Sequence, residues 1–96
     1  MTYRRVFTGT FQGARDLGAE VEFFKDTVVP AMRARGALTV EMVQTNDKMF
    51  LATATYPDQE TADADPDGIQ ELRKSIIEAF NLDAMHPYGG ITVVGF

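Results

Sequence analysis

The chain has 96 residues, 45% of them hydrophobic, and a formal net charge of −5. This length is sufficient for one two-layer core, so we expect residues 1–96 to form a single domain. The absence of cysteine excludes disulfides, thiolate metal sites and a cysteine nucleophile. Nine Lys and Arg against 14 Asp and Glu leave no basic excess, which argues against a nucleic-acid partner.

The N-terminal segment resembles neither a signal peptide nor a membrane span. Arg4 and Arg5 are followed by only two apolar residues before the chain reaches Thr8 and Gly9, so no signal-peptide core follows. No run approaches the roughly 18 apolar residues of a membrane span. We therefore expect a cytoplasmic protein with no membrane partner. The two arginines are predicted to be solvated at the start of the first strand.

The first third of the chain predicts a strand followed by a long helix. Residues 3–11 are rich in aromatic and β-branched residues, which favours a strand. From residue 16 to 35, apolar residues recur every three or four positions, with Asp16 as candidate N-cap and Gly36 as stop. Pro30 lacks an N–H group, so we expect the helix to kink there. The predicted apolar stripe is Leu17, Val21, Phe24, Val28 and Met32.

A hairpin and a second helix follow. Residues 37–44 and 49–56 alternate as strands do, and Thr45-Asn46-Asp47-Lys48 between them predicts the turn. Asp65 and Pro66 form a typical N-cap and first-turn pair for a helix that runs to about residue 81. The predicted stripe of this helix is Ile69, Leu72, Ile76 and Phe80.

The remaining C-terminal residues predict a loop over 82–88 and a last strand over 91–96, reached through a pair of glycines. The element order is then βαββαβ. Right-handed crossovers arrange such a chain as a four-stranded antiparallel sheet of order 4-1-3-2 with both helices on one face, a ferredoxin-like α+β fold.

Side-chain alternation separates two faces of the predicted sheet. The helix-facing set is aromatic or small: Phe7, Gly9, Phe11, Leu38, Val40, Met42, Phe50, Ala52, Ala54, Tyr56, Ile91, Val93 and Gly95. The open set mixes threonine with aliphatic residues: Val6, Thr8, Thr10, Thr39, Glu41, Val43, Met49, Leu51, Thr53, Thr55, Thr92, Val94 and Phe96. A sheet face that met only water would carry more charge. We therefore expect a homodimer that pairs through the open face; the alternative is a monomer with a solvated threonine-rich sheet.

Several features together resemble the dimeric α/β-barrel superfamily, which includes the antibiotic biosynthesis monooxygenases. They are the long first helix with its internal Pro30, Gly36 before the hairpin, the Tyr56-Pro57-Asp58 exit and a hydrophobic last strand. The resemblance extends over nearly the whole chain, but these are pattern features and no catalytic signature. It implies a dimer in which two sheets pack face to face.

The resemblance implies cofactor-independent monooxygenation of a small aromatic or quinol-like substrate, with no cofactor or metal. Other members are isomerases and haem-degrading enzymes. The haem-degrading members carry an asparagine on the first strand and a tryptophan, whereas this chain has Thr8 and Thr10 there and no tryptophan. The alternative function is a non-catalytic dimeric module that binds a small ligand or acts in stress.

One candidate base and several candidate binding residues stand out. His86 is the sole histidine, and histidine is the residue type that commonly exchanges protons near neutral pH, so we predict it to be the general base at the mouth of a pocket between helices and sheet. An exposed loop histidine is the alternative. Tyr56 and Tyr88 are predicted to hydrogen-bond the substrate, and Phe7, Phe11 and Phe24 to form the pocket walls. The small residues on the helix-facing side leave room for this pocket, or they let the helices pack closely.

Two further motifs have simpler explanations. The sequence from Asp63 to Gly68 matches the opening of a calcium loop through Asp63, Asp65 and Asp67, but Lys74 occupies the position of the closing glutamate. Helix capping explains most of that pattern. The segment 9–13 resembles the phosphate-binding loop of acylphosphatases, but Arg15 follows it too closely.

Overall fold

The computed structural model describes residues 2–46 and 48–95. It contains one four-stranded antiparallel sheet of order β2-β3-β1-β4, with helices packed on one face. The predicted ferredoxin-like fold and strand order are confirmed. The predictions for Asp47 in the turn and for Phe96 fall outside the described residues. The strands are β1 (Tyr3–Phe11), β2 (Thr39–Gln44), β3 (Met49–Tyr56) and β4 (Leu82–Ile91).

The first helical region consists of three consecutive segments: α1 (Leu17–Phe23), a π-helical segment (Phe24–Val28) and α2 (Val29–Ala34). Asp16 is the N-cap of α1, as predicted, since its carboxylate accepts a hydrogen bond from the Ala19 N–H at 3.1 Å. The π-helical segment ends at Val28, two residues before Pro30, where the sequence predicts a kink. Wider turns of this kind are a common way for a helix to accommodate an irregularity such as a residue without an N–H group.

The buried side of this region differs from the predicted stripe. The buried residues follow a four-residue spacing, which suits a region that includes a wider π turn better than the 3.6 residues of a pure α-helix. Leu17 and Val21 are exposed, so their assignment to the core is wrong. The buried residues are Glu20, Phe24, Val28 and Met32.

Glu20 is buried because a cation neutralises it. Its carboxylate lies 2.6 Å from the Arg15 guanidinium, and the two side chains are only 4% and 9% exposed. Arg15 also donates to the Asn46 carbonyl at 2.7 Å and lies 4.3 Å from the centre of the Phe11 ring. Burying a charge is costly unless it is paired. This ion pair therefore fixes the start of α1 against the β2–β3 hairpin.

Two aspartates in the segment that follows β3 supply helix caps. Asp58 caps a short helix that the sequence did not predict, α3 (Gln59–Ala62), by accepting from the Thr61 N–H at 2.7 Å. Asp65 caps α4 (Pro66–Phe80) by accepting from the Gly68 N–H at 3.1 Å, as predicted. Across residues 2–46 and 48–95, no three acidic or histidine side chains are grouped as a metal site. The same ranges contain no helix long and apolar enough to span a bilayer.

Strand β4 corrects the sequence prediction for the C-terminus. The expected loop over 82–88 and strand over 91–96 are wrong, because the strand runs from Leu82 to Ile91. Pro87, Gly89 and Gly90 are typical turn residues, and they hide this strand from sequence reasoning. β4 lies at the edge of the described sheet. Proline is tolerated on edge strands because no further strand needs its missing N–H group. The sequence pattern assigned four further residues to faces of the sheet, but they lie beyond the end of β4: Thr92, Val93, Val94 and Gly95.

The core forms between the helices and the predicted helix-facing residues of β1 and β3. Phe50 is at its centre and packs edge-on against Phe11 at 6.4 Å and Phe80 at 5.3 Å between ring centres. Leu38, assigned to this side, is exposed just before β2. The strand residues that are buried in the core are Tyr3, Phe7, Phe11, Phe50, Ala52, Ala54, Tyr56, Leu82 and Met85.

A bulge in the β1–β4 pairing requires glycine at position 9. The register shifts between Gly9 and Phe11, and the Asp83 carboxylate accepts from the Thr10 N–H at 3.1 Å. A Cβ atom on Gly9 would lie 2.5 Å from the Ala84 carbonyl oxygen. That contact involves backbone, so a side-chain rotation cannot relieve it.

The bulge predicts a position-specific effect of alanine in the sheet. We expect Gly9→Ala to lower the free energy of unfolding by about 1–3 kcal/mol, because β4 must shift away from β1. The matched control is Gly90→Ala, since a Cβ atom at Gly90 meets nothing within 4 Å. Its effect should stay within about 0.5 kcal/mol. Urea unfolding measures both, and equal effects would contradict the observed register.

Tyr56 predicts a loss of stability at alkaline pH. It is 1% exposed, and its hydroxyl lies 3.9 Å from the Met32 sulfur. Burial raises the pKa of Tyr56 above its usual value of 10.0, although Arg5 and Arg35 oppose this increase. The unfolded chain therefore ionises Tyr56 first, and stability declines as pH rises above about 10.

Tyr56→Phe removes this titration while it keeps the ring. We expect the stability of the variant relative to the native protein to improve between about pH 8 and pH 11, in urea unfolding at each pH. A stability difference that is independent of pH over this range would show that Tyr56 ionises equally in both states.

Candidate functional site

A cleft of about 200 Å³ opens between the sheet and the first half of α4. It lies where β1, the end of β3, β4 and the α3–α4 connection meet. Its charged residues are Arg5, Asp63 and Arg73. The larger side chains of its walls are Phe7, Tyr56, Pro66, Ile69 and Pro87. The cleft thus combines apolar walls with a few polar groups, as small-molecule sites usually do.

Strand alternation directs Arg5 into the cleft. Arg5 is two residues before the buried Phe7, so both side chains point to the helix side of β1. The Arg5 side chain is only 25% exposed, and the prediction that it is solvated is wrong. Gly89 lies opposite Arg5 on β4, and a Cβ atom there would collide first with the Tyr3 hydroxyl and would lie 2.9 Å from the Arg5 guanidinium. The missing side chain gives Arg5 room to lie across the strand.

The α3–α4 connection supplies the acidic partner of Arg5. The Asp63 carboxylate forms an ion pair with the Arg5 guanidinium, which also lies 5.2 Å from the centre of the Tyr3 ring. Beside them, burial keeps the pKa of Tyr56 raised, so its phenol remains a hydrogen-bond donor at neutral pH. The charged groups at this end of the cleft are therefore the Arg5 guanidinium and the Asp63 carboxylate, while the Tyr56 hydroxyl is directed to the Met32 sulfur.

Helix α4 supplies the opposite wall. Pro66, Ile69 and Arg73 are separated by three and four residues, which places them on one face of the helix, toward the cleft. The Nε atom of Arg73 is buried, and no group in the described part of the chain accepts a hydrogen bond from it. The Nε atom of Arg15 is also buried without an acceptor, but the terminal nitrogens of Arg15 bond to Asn46 and Glu20. Arg73 has no such bonds in the described part of the chain, so its guanidinium is available to an acceptor from outside the chain.

Deeper between helices and sheet, a cavity of about 20 Å³ lies within the core and shares Phe7, Ile69 and Arg73 with the cleft. Phe7, Phe24, Ala52 and Arg73 are among its lining residues. This volume is close to that of a single enclosed water. The small residues of the sheet are therefore used for close helix packing, and this cavity is too small for an aromatic ligand, whereas the cleft is about ten times larger.

The structure separates the predicted site residues. Phe7 and Tyr56 lie together in the cleft, and Phe24 lines the small cavity behind it. Phe11 lies at the other end of β1 beneath Arg15. The predicted roles of these residues in substrate binding stay predictions.

His86 and Tyr88 lie on the other side of the sheet. They pair in register with Thr8 and Val6 on β1, and these are open-face positions. The prediction that His86 is in a loop is wrong, because β4 extends through it. His86 borders a shallow depression with Thr8, and the cleft lining does not include it. Its role as a base stays a prediction.

Sequence reasoning missed Arg5, Asp63 and Arg73. For the two arginines a usable signal was present. Arg5 has the same strand parity as Phe7, and Arg73 follows Ile69 by one helical turn, so each charge is next to an apolar stripe. Asp63 carried no such signal, since its position depends on the short helix α3.

Solved structures with this fold include oxygenases. The chain is similar to a Streptomyces coelicolor monooxygenase, ActVA-Orf6, solved in complex with nanaomycin D, with 17% identity, a TM-score of 0.75 and coverage of 98% of this chain and 89% of that one. SnoaB, a cofactor-independent oxygenase from Streptomyces nogalater, gives 14% identity, a TM-score of 0.71 and coverage of 98% and 95%.

A third similar structure is a dimeric ferredoxin-like protein from an uncultured marine organism, with 16% identity, a TM-score of 0.68 and coverage of 99% and 98%. No protein-family model and no curated protein sequence matches the chain. At these identities the structural matches show the fold alone: this chain has the ferredoxin-like fold that dimeric proteins and antibiotic biosynthesis monooxygenases also have.

Proposed function

We propose that the chain forms a cytoplasmic homodimer that binds a small aromatic, quinol-like molecule in the cleft and oxygenates it without a cofactor. The observation that carries this proposal is the cleft itself, which joins apolar walls to two guanidinium groups in a fold that the cofactor-independent oxygenase SnoaB also has. The cytoplasmic location rests on the sequence expectation alone.

The chemistry requires little from the protein. A quinol and dioxygen together contain the atoms of a hydroxyquinone and one water, so the substrate supplies all the electrons. The difficult step is to form the electron-rich quinolate, in which a phenolic proton leaves to solvent water and the oxygen keeps the electron pair. Guanidinium groups favour that anion through charge-assisted hydrogen bonds, and Arg5 and Arg73 line the cleft.

The proposed dimer pairs the open faces of two sheets. That face carries half-buried aliphatic and threonine residues, including Val6, Leu51 and Thr53, and the exposed Val43. Covering such residues removes apolar area from water at a gain of about 25 cal/mol per Å² before ordering costs. His86 and Tyr88 would then lie at or near the interface, on the opposite side of the sheet from the cleft.

A non-catalytic ligand-binding module is the second candidate. The observation that favours it is the location of His86, since the predicted base and the cleft are on opposite sides of the sheet. Asp63, the carboxylate of the cleft, is occupied by Arg5. A protein that only binds and releases an aromatic ligand needs no base.

If two chains pair through their open faces, a charge placed on that face should lower the mass of the protein in solution. Leu51→Glu places a charge at the centre of the open face and should give a monomer in light scattering at micromolar concentration. Val21→Glu is the control, since Val21 is an exposed aliphatic residue on α1, away from that face, and should leave the dimer intact. A native protein with the mass of one chain would contradict the proposed pairing.

The oxygenase proposal predicts oxygen uptake with hydroquinone. We expect uptake above the buffer rate, a decrease of at least about tenfold in Ile69→Trp, which fills the cleft, and no change in His86→Ala. An oxygen electrode measures the rates, and melting temperatures confirm that each variant is folded.

Different outcomes separate the two candidate functions. Saturable hydroquinone binding without oxygen uptake would favour the binding module. Absence of both binding and uptake would contradict both candidates. Loss of uptake in His86→Ala alone would move the chemistry to the open face and overturn the assignment to the cleft.

A further inference from the structure

Arg73 differs from the other partly buried arginines of the chain. Arg5 is paired with Asp63, Arg15 with Glu20 at 2.6 Å, and Arg35 with Asp65 at 3.0 Å. Arg73 is also of intermediate exposure, yet within residues 2–46 and 48–95 it has no salt bridge and no side-chain hydrogen bond, and its Nε atom is buried. A buried donor without an acceptor is costly. The location of Arg73 therefore favours the binding of an anion that comes from outside the chain.

The charge balance of the cleft supports the same conclusion. Two guanidinium groups, from Arg5 and Arg73, face one carboxylate, from Asp63. This local excess of positive charge occurs in a chain whose net charge is −5. Asp63 is already bonded to Arg5, so the cation that remains for a ligand is Arg73.

The surroundings of Arg73 define what the anion is attached to. Arg73 lines both the cleft and the apolar cavity behind it, so its charge is located where the apolar walls end. A ligand that reaches it must place its uncharged part against Phe7 and Ile69. An apolar body with an acidic group at one end fits this arrangement.

The volume of the cleft limits the size of that body. Its volume of about 200 Å³ exceeds the roughly 150 Å³ of an engineered protein cavity that binds benzene. One substituted ring therefore fits, whereas several fused rings would require the cleft to widen.

We propose that the cleft is selective for a single-ring aromatic acid, whose carboxylate is bound by the Arg73 guanidinium while its ring packs between Phe7 and Ile69. This inference rests on the ligand-binding part of the proposed function and specifies its substrate class. Arginine suits this role because its planar guanidinium can donate two parallel hydrogen bonds to a carboxylate.

A matched pair of ligands tests the proposal. 2,5-Dihydroxybenzoate is a quinol with a carboxylate, and 2,5-dihydroxybenzamide is its uncharged analogue. Calorimetric titration without oxygen should show that the native protein binds the acid at least about tenfold more tightly than the amide. In Arg73→Gln this preference should fall to about twofold or less, while the affinity for the amide is kept.

Two further variants make the result specific. Arg73→Lys retains the charge but loses the planar donor pair, and should show an intermediate preference. Arg33→Gln removes an exposed arginine of α2 and should bind both ligands as the native protein does.

Equal affinity of the native protein for acid and amide would overturn the acid selectivity and leave the proposed function standing. A preference that survives in Arg73→Gln would overturn the assignment to Arg73. No binding of either ligand, or of hydroquinone, would instead contradict the proposed function and this inference together.

Discussion

The alternation of side chains along β1 is the constraint on which the rest of the structure depends. β1 is a central strand, paired with β3 on one side and β4 on the other, so each of its residues belongs either to the helix layer or to the open face. Phe7 and Phe11 fix the core on one side. Arg5 belongs to the same side, between Phe7 and the buried Tyr3, and it lines the opening between the sheet and α4, so it becomes part of a cleft and not of the core.

This division gives the two faces of the sheet separate roles. The proposed ligand site uses only the helix side, where Tyr56 and Ile69 bound the cleft. The proposed dimer uses only the open side, where Leu51 and Thr53 lie on β3. Because the sheet lies between them, changes on one face need not disturb the other. The same separation places His86 on the open side and Arg73 on the helix side, so the two side chains do not face one common site.

Much of the fold was predictable because its signals are local. Alternation defined β1 and β3, and the Asp65-Pro66 pair marked the start of α4, as the structure confirms. Strand β4 was not predictable in this way, since Pro87 and its neighbouring glycines are typical turn residues, and proline is compatible with β4 because this strand lies at the edge of the sheet in residues 2–46 and 48–95. The burial of Glu20 in place of Val21 likewise depends on a distant partner, Arg15, and on the turn geometry ahead of Pro30.

The site was predictable only where it coincides with the core. Phe7 and Tyr56 followed from strand parity, whereas the charged residues of the cleft depend on how α4 packs across the sheet. The most direct test of the account is therefore the location of a bound ligand. Backbone amide shifts on addition of 2,5-dihydroxybenzoate without oxygen should be largest at Phe7, Ile69 and Arg73. Shifts concentrated at Thr8 and His86 would place the ligand on the open face and contradict the central claim.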